Sequence, residues 1–131
     1  MKYILSIDQS TQATKVILFD ETGKLVKRVD KAHKQIISEK GFVSHNPIEI
    51  YENTVNLVKE LLEITKIQAD NIVALGISNQ RETTVMWDKN GIPLADAVVW
   101  QCSRAKEIAE KYLSYSERIH EITGLQLSPY F

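Results

Sequence analysis

Tyr3-Ile4-Leu5-Ser6-Ile7-Asp8-Gln9-Ser10-Thr11-Gln12-Ala13-Thr14-Lys15-Val16-Ile17-Leu18-Phe19-Asp20-Glu21-Thr22-Gly23 passes from an apolar run through a polar cluster into a second apolar run and closes on a turn signal. Tyr3 to Ile7 suits a buried strand, and Lys15 to Phe19 reads as a second strand, ended by Asp20-Glu21-Thr22-Gly23. The same device returns later in the chain. Ile72 to Ile77 is another run fit for a buried strand, Asn79 to Glu82 is a polar cluster, and Thr84 to Trp87 leads into Asp88-Lys89-Asn90-Gly91. Paired hairpins of this kind, alternating with helical segments, predict a mixed α/β layered domain in place of a purely parallel doubly wound one.

The segments between these repeats supply the helices. A third strand is expected over Lys24 to Val29. Asn46 precedes Pro47, and Glu49 follows three residues later, which combines an N-cap, a proline at the first helical position and a capping-box acceptor. Ile50, Leu57, Val58, Leu61 and Leu62 then recur at helical spacing to about Thr65, and Asp70-Asn71 turns the chain into the next strand. Ser103 to Leu113 and Ser116 to Ile122 read as helices, the second closed by Gly124.

With 131 residues, 44% of them hydrophobic, the chain is expected to fold as one domain without an internal boundary. Lys and Arg number 16 against 17 Asp and Glu, so no basic field draws it to nucleic acid or anionic lipid. Cys102 is alone, which excludes an internal disulfide, and His33, His45 and His120 lack the spacing of a metal site, so they are read as core or surface residues. No apolar segment approaches the ~20 residues that span a bilayer, and Asp8 arrives too early for a secretory leader; the expected location is cytoplasmic. Leu125 to Phe131 stops on two aromatics, where a chain end is usually polar, and suggests a fragment.

Two polar clusters stand at strand ends. Asp8 to Lys15 forms, at its simplest, a hairpin turn. Its carboxylate, hydroxyls, successive backbone N–H groups and lysine also suit a hydrated divalent ion and the phosphates it bridges. Asn79-Gln80-Arg81-Glu82 could be no more than a surface ion pair. Yet it follows a strand end, where α/β proteins tend to place ligands. A guanidinium that donates to hydroxyl oxygens beside a carboxylate that accepts from O–H groups is a grip for a polyol. Trp100 could pack on the C–H side of such a molecule, its plainer reading being core packing.

Asn79-Gln80-Arg81-Glu82-Thr83-Thr84, Val99-Trp100-Gln101-Cys102, Gly41-Phe42-Val43 with His45-Asn46-Pro47 and Glu49-Ile50, and Gly124-Leu125 with Pro129-Tyr130-Phe131 are the motifs that carry a likeness. On these motifs the whole chain resembles the amino-terminal domain of the FGGY carbohydrate kinases, in particular their glycerol kinase branch. The resemblance implies a ribonuclease H-like (actin-like ATPase) domain with a mixed sheet and flanking helices. It also implies a longer two-domain kinase, of which residues 1–131 are the amino-terminal domain. The implied reaction is transfer of the ATP γ-phosphoryl group to glycerol, with Mg2+, in a cytoplasmic enzyme that is a homo-oligomer at full length.

Carried over by position, Arg81 and Glu82 would bind the polyol hydroxyls, and Trp100 and Tyr130 would complete the pocket. Asp8 would sit near Mg2+, with Thr11 and Lys15 near the phosphates. The family's catalytic base and the carboxy-terminal ATPase domain would lie beyond residue 131, so the fragment alone is expected to be inactive. The alternatives are an FGGY kinase for another polyol or a ketose such as xylulose, and a polyol-binding module without chemistry. The family's first loop usually reads Asp-Gln-Gly-Thr-Thr-Ser-x-Arg. Ser10 in the glycine position is expected to restrict the loop where φ is positive, and Lys15 replaces a planar fork with a point charge.

Overall fold

A computed structural model of the chain describes residues 1–130; Phe131, the last residue of the terminal motif, lies outside the described residues. In chain order the elements are β1 (Tyr3–Gln9), β2 (Ala13–Asp20), β3 (Leu25–Ala32), β4 (Ile36–Ile37), β5 (Val43–His45), α1 (Pro47–Thr65), β6 (Ile72–Asn79), β7 (Ala97–Val98), α2 (Lys106–Lys111) and α3 (Ser116–Thr123). They divide into two compact units, residues 1–34 with 46–80, and residues 35–45 with 81–131.

The first unit is built on alternation. Leu5 and Ile7 of β1, Val16 and Leu18 of β2, and Val29 of β3 turn to one side of the sheet, where Leu57 and Leu61 of α1 meet them. Each such side chain contributes about 1.5–3 kcal/mol by leaving water. The sheet order is β3-β2-β1-β6. β1 pairs antiparallel with β2 but parallel with β6, so the sheet is mixed, as the sequence predicts. α1 starts where expected: the Asn46 side chain accepts from the N–H groups of Ile48 and Glu49 at 2.9 and 3.3 Å, and Pro47 takes the first turn. Glu49 does not close a capping box. Its carboxylate instead accepts the Lys34 N–H at 3.2 Å, tying the helix start to the chain leaving β3.

β6 departs from the expected buried strand. Val73, Leu75 and Ile77 are 57%, 56% and 66% exposed, because α1 lies against β2, β3 and β1 and, among the described residues, leaves β6 at the end of the sheet without a covering helix.

The second unit contains the three-stranded sheet β4-β5-β7, whose strands are too short for periodicity to reveal. Thr84 to Trp87, read as a strand, forms two isolated bridges among the described residues, Thr84 to Val98 and Trp87 to Pro93. Proline carries no N–H with which to extend such a ladder. The helix expected over Ser103 to Leu113 shortens to α2, followed by a 3-10 turn over Leu113–Tyr115. Ala105 provides no side-chain cap, and Ser103 closes a turn through its carbonyl to Lys106 N–H at 2.9 Å. α3 ends as expected on Gly124, whose φ of 72° is the left-handed conformation that favours glycine.

The repeated turn is reproduced in detail. The carbonyls of Asp20 and Asp88 each accept a backbone N–H from the residue three later, Gly23 and Gly91, at 3.0 Å. The Asp20 carboxylate takes the Thr22 hydroxyl and the N–H groups of Lys24 and Thr22, and that of Asp88 takes the N–H groups of Ile92 and Asn90. These donors hold both carboxyls below their ordinary pKa, the Thr22 hydroxyl being the largest cause at Asp20 and the Ile92 N–H at Asp88. His33 and His45 are buried and His120 is not, within the core-or-surface reading.

Candidate functional site

Parallel pairing decides where the first cluster lies. Asp8 stands opposite Ser78 and Gln9 opposite Asn79, so β1 and β6 end side by side at one edge of the sheet. The pairing runs one residue further, with Gln80 N–H donating to the Gln9 carbonyl at 2.7 Å and the two side-chain amides meeting at 3.4 Å. Both polar clusters therefore leave the sheet from neighbouring strand ends, which spacing along the chain does not reveal.

The first cluster is a hairpin. Ser10 closes it with its N–H and its hydroxyl, both donating to the Ala13 carbonyl at 2.9 and 2.8 Å. Ser10 does not occupy a positive-φ position; among described non-glycine residues only Lys66 and Glu82 do, so the expected restriction does not arise there. Asp8 and Lys15 face each other across the two strands, with Nζ donating to Oδ2 at 2.9 Å. Thr11 lies at the tip of the hairpin, half-buried.

Residues without a local sequence signal hold this loop. The His33 ring places Nε2 at 3.1 Å from the Thr14 hydroxyl and 3.2 Å from the Gln9 amide nitrogen, with Nδ1 at 3.3 Å from the Asn53 amide nitrogen. Its backbone N–H donates to the Gln12 carbonyl at 2.9 Å. The imidazole thus joins both sides of the hairpin to α1. Nothing in the spacing of residues 9, 14, 33 and 53 announces the cluster, because its members meet only through the fold.

In the second unit Arg81 and Glu82 open the chain after Gln80, both exposed. Among the described residues Arg81 and Glu82 form no ion pair with each other or with another side chain. Glu82 has a φ of 57°, in the left-handed region that a residue with a Cβ enters at a cost of roughly 1–2 kcal/mol. Strain held at a polar turn is a mark of sites where side-chain direction matters. Trp100 and Tyr130 come together edge to face, with ring centroids 6.3 Å apart and an interplanar angle of 69°. At 41% and 45% exposure they present aromatic surface, and the core-packing reading of Trp100 does not hold in this chain.

Residues 3–131 match the model of the FGGY family of carbohydrate kinases, N-terminal domain. The chain belongs to the FGGY carbohydrate kinases. Among curated relatives it is 46% identical to glycerol kinase 2 of Thermotoga maritima over 100% of its own length, and 41% identical to glycerol kinase of Caldanaerobacter subterraneus over 99%. It spans 27% of the length of each. Among solved structures, Plasmodium falciparum glycerol kinase with ADP matches at a TM-score of 0.90 and 37% identity, covering 100% of this chain and 27% of that one. Ligand-bound xylulose kinase from Lactobacillus acidophilus matches at 0.90 and 26% identity, covering 99% and 26%. The FGGY neighbours share the actin-like ATPase fold expected from the motifs.

Proposed function

We propose that residues 1–131 form the amino-terminal domain of a longer two-domain kinase that transfers the ATP γ-phosphoryl group to glycerol. The observation that carries this reading is Arg81 with Glu82, both exposed, without ionic partners among the described residues and placed directly after a strand end. Arg81 donates to polyol hydroxyl oxygens, Glu82 accepts from a hydroxyl, and Trp100 and Tyr130 cover the carbon side. Asp8, Thr11 and Lys15 serve the phosphate side.

Mg2+ suits this chain's donor set. Such ions usually keep several waters and take one or two carboxylates plus substrate phosphates. Asp8 is one half-exposed carboxylate at a strand end. Bound there, Mg2+ would neutralise charge on the phosphates, and the chain's part is to place Asp8 and Lys15 beside them. The catalytic base and the ATPase domain are assigned to the remainder of the longer protein, in which the exposed apolar face of β6 also finds its cover. The enzyme is assigned to the cytoplasm as a homo-oligomer.

ADP release by the full-length protein with Mg2+ and ATP should depend on glycerol and not on xylulose, ribulose or erythritol, with residues 1–131 alone inactive. These acceptors are larger than glycerol and carry no fewer hydroxyls, so the preference rests on the size of the pocket and not on an unpaired hydroxyl partner. Preference for a ketose would keep the fold and reassign the pocket; no turnover with any acceptor would favour a binding module.

The strain at Glu82 supports a second test. Glu82→Gly removes the left-handed cost while losing the carboxylate, so glycerol KM should rise with no loss of thermal stability. At an ordinary φ the same change costs about 1 kcal/mol. A lowered melting temperature at unchanged KM would make Glu82 a structural turn residue.

A further inference from the structure

Trp100 sits on a turn whose two ends are buried. Val99 and Cys102 are 1% and 2% exposed, and Cys102 N–H donates to the Val99 carbonyl at 2.8 Å. The first end hangs on β5 through Val99 N–H to the Val43 carbonyl, a long bond of 3.4 Å. The second end is held by Arg104. Its Nε donates to Cys102 Sγ at 2.9 Å, and one terminal nitrogen donates to the Val43 carbonyl at 3.1 Å and to the Ser44 hydroxyl at 2.7 Å. The guanidinium carbon also lies 5.4 Å from the centre of the Phe42 ring. Burial opposes charge on the Cys102 thiol, but the Arg104 contact and the N–H groups of Arg104 and Val43 outweigh it and draw its pKa below the ordinary value.

We propose that Arg104 is a positioning residue for Trp100, setting the angle at which the indole meets the polyol by clamping Cys102 to β5. The planar fork matters because it reaches a sulfur on one side and two oxygens on the other at once, which an ammonium cannot reproduce. The proposal rests on the reading of Trp100 as a wall of the polyol pocket. Small displacements of positioning groups cost large factors in rate or affinity, so the loss of this clamp should be visible in kinetics.

The test is a double-mutant cycle in the full-length enzyme. Arg104→Ala should raise glycerol KM about tenfold with ATP KM nearly unchanged, and Arg104→Lys should recover only part of it. Trp100→Ala should raise glycerol KM by itself, and Arg104→Ala added to it should do nothing further, since Arg104 acts through the indole. Effects that multiply would overturn the proposal, as would an unchanged KM in Arg104→Ala beside a raised one in Trp100→Ala. An unchanged KM in Trp100→Ala would remove the pocket reading itself, and this proposal with it. If Arg104→Ala fails to fold, Ser44→Ala releases one arm of the clamp and should show the same non-additivity with Trp100→Ala.

Discussion

Arg81→Ala in the full-length enzyme is expected to raise glycerol KM by on the order of a hundredfold, with ATP KM changed little. A hydrogen bond from a charged group contributes about 1.5–3 kcal/mol, and a guanidinium can offer two N–H groups to neighbouring hydroxyls. At about 1.4 kcal/mol per tenfold, losing even one of them gives roughly a tenfold loss, and losing two gives about a hundredfold. The fold should not suffer, because Arg81 is exposed and has no ionic partner among the described residues. An unchanged melting temperature would therefore accompany the raised KM. Arg81→Lys keeps the charge but not the fork, so it should fall between the two. A glycerol KM equal to that of the unmodified enzyme would take Arg81 out of the pocket and leave it a solvated turn residue.

Arg81 also shows which parts of the molecule are legible in sequence. Its place at a strand end can be read, because Ile72 to Ile77 is a local apolar run and the polar change after it is abrupt. The same holds for α1, whose cap, proline and spacing all lie within one stretch, and for the two Asp-x-x-Gly turns. What local patterns do not supply is pairing. The parallel register of Gln9 with Asn79 joins residues far apart in the chain, and the His33 contacts with Gln9, Thr14 and Asn53 exist only once the fold brings those segments together.

The exposure of β6 escapes a sequence reading for a related reason. An apolar run signals side chains fit for burial but not which element covers them, and α1 lies against β1, β2 and β3 and leaves β6 exposed. β4, β5 and β7 are two or three residues long, below what alternation can register. They nevertheless carry the Val43 carbonyl and the Ser44 hydroxyl on which Arg104 closes.

Asp8→Asn should have the largest effect on turnover, lowering kcat by on the order of 10²-fold or more and moving the Mg2+ requirement upward, with glycerol KM nearly constant. Two roles compete for this carboxylate. In the plain structural one, Asp8 stabilises the hairpin by its 2.9 Å contact with Lys15. Both side chains are about a third exposed, however, and such pairs contribute roughly 0–1 kcal/mol. The amide introduced by Asp8→Asn would also keep an oxygen for Lys15 Nζ, and Ser10 would still close the turn on Ala13. The structural role thus predicts an almost unchanged melting temperature and an almost unchanged kcat. The phosphate-side role predicts the first and not the second, because removing a preorganised charge where charge is redistributed typically costs about 10²–10³ in kcat. Lys15→Met divides the roles further, since it breaks the same pair while leaving the carboxylate. It should weaken ATP binding without shifting the Mg2+ titration, whereas equal effects of the two substitutions on both would mean that only the ion pair mattered.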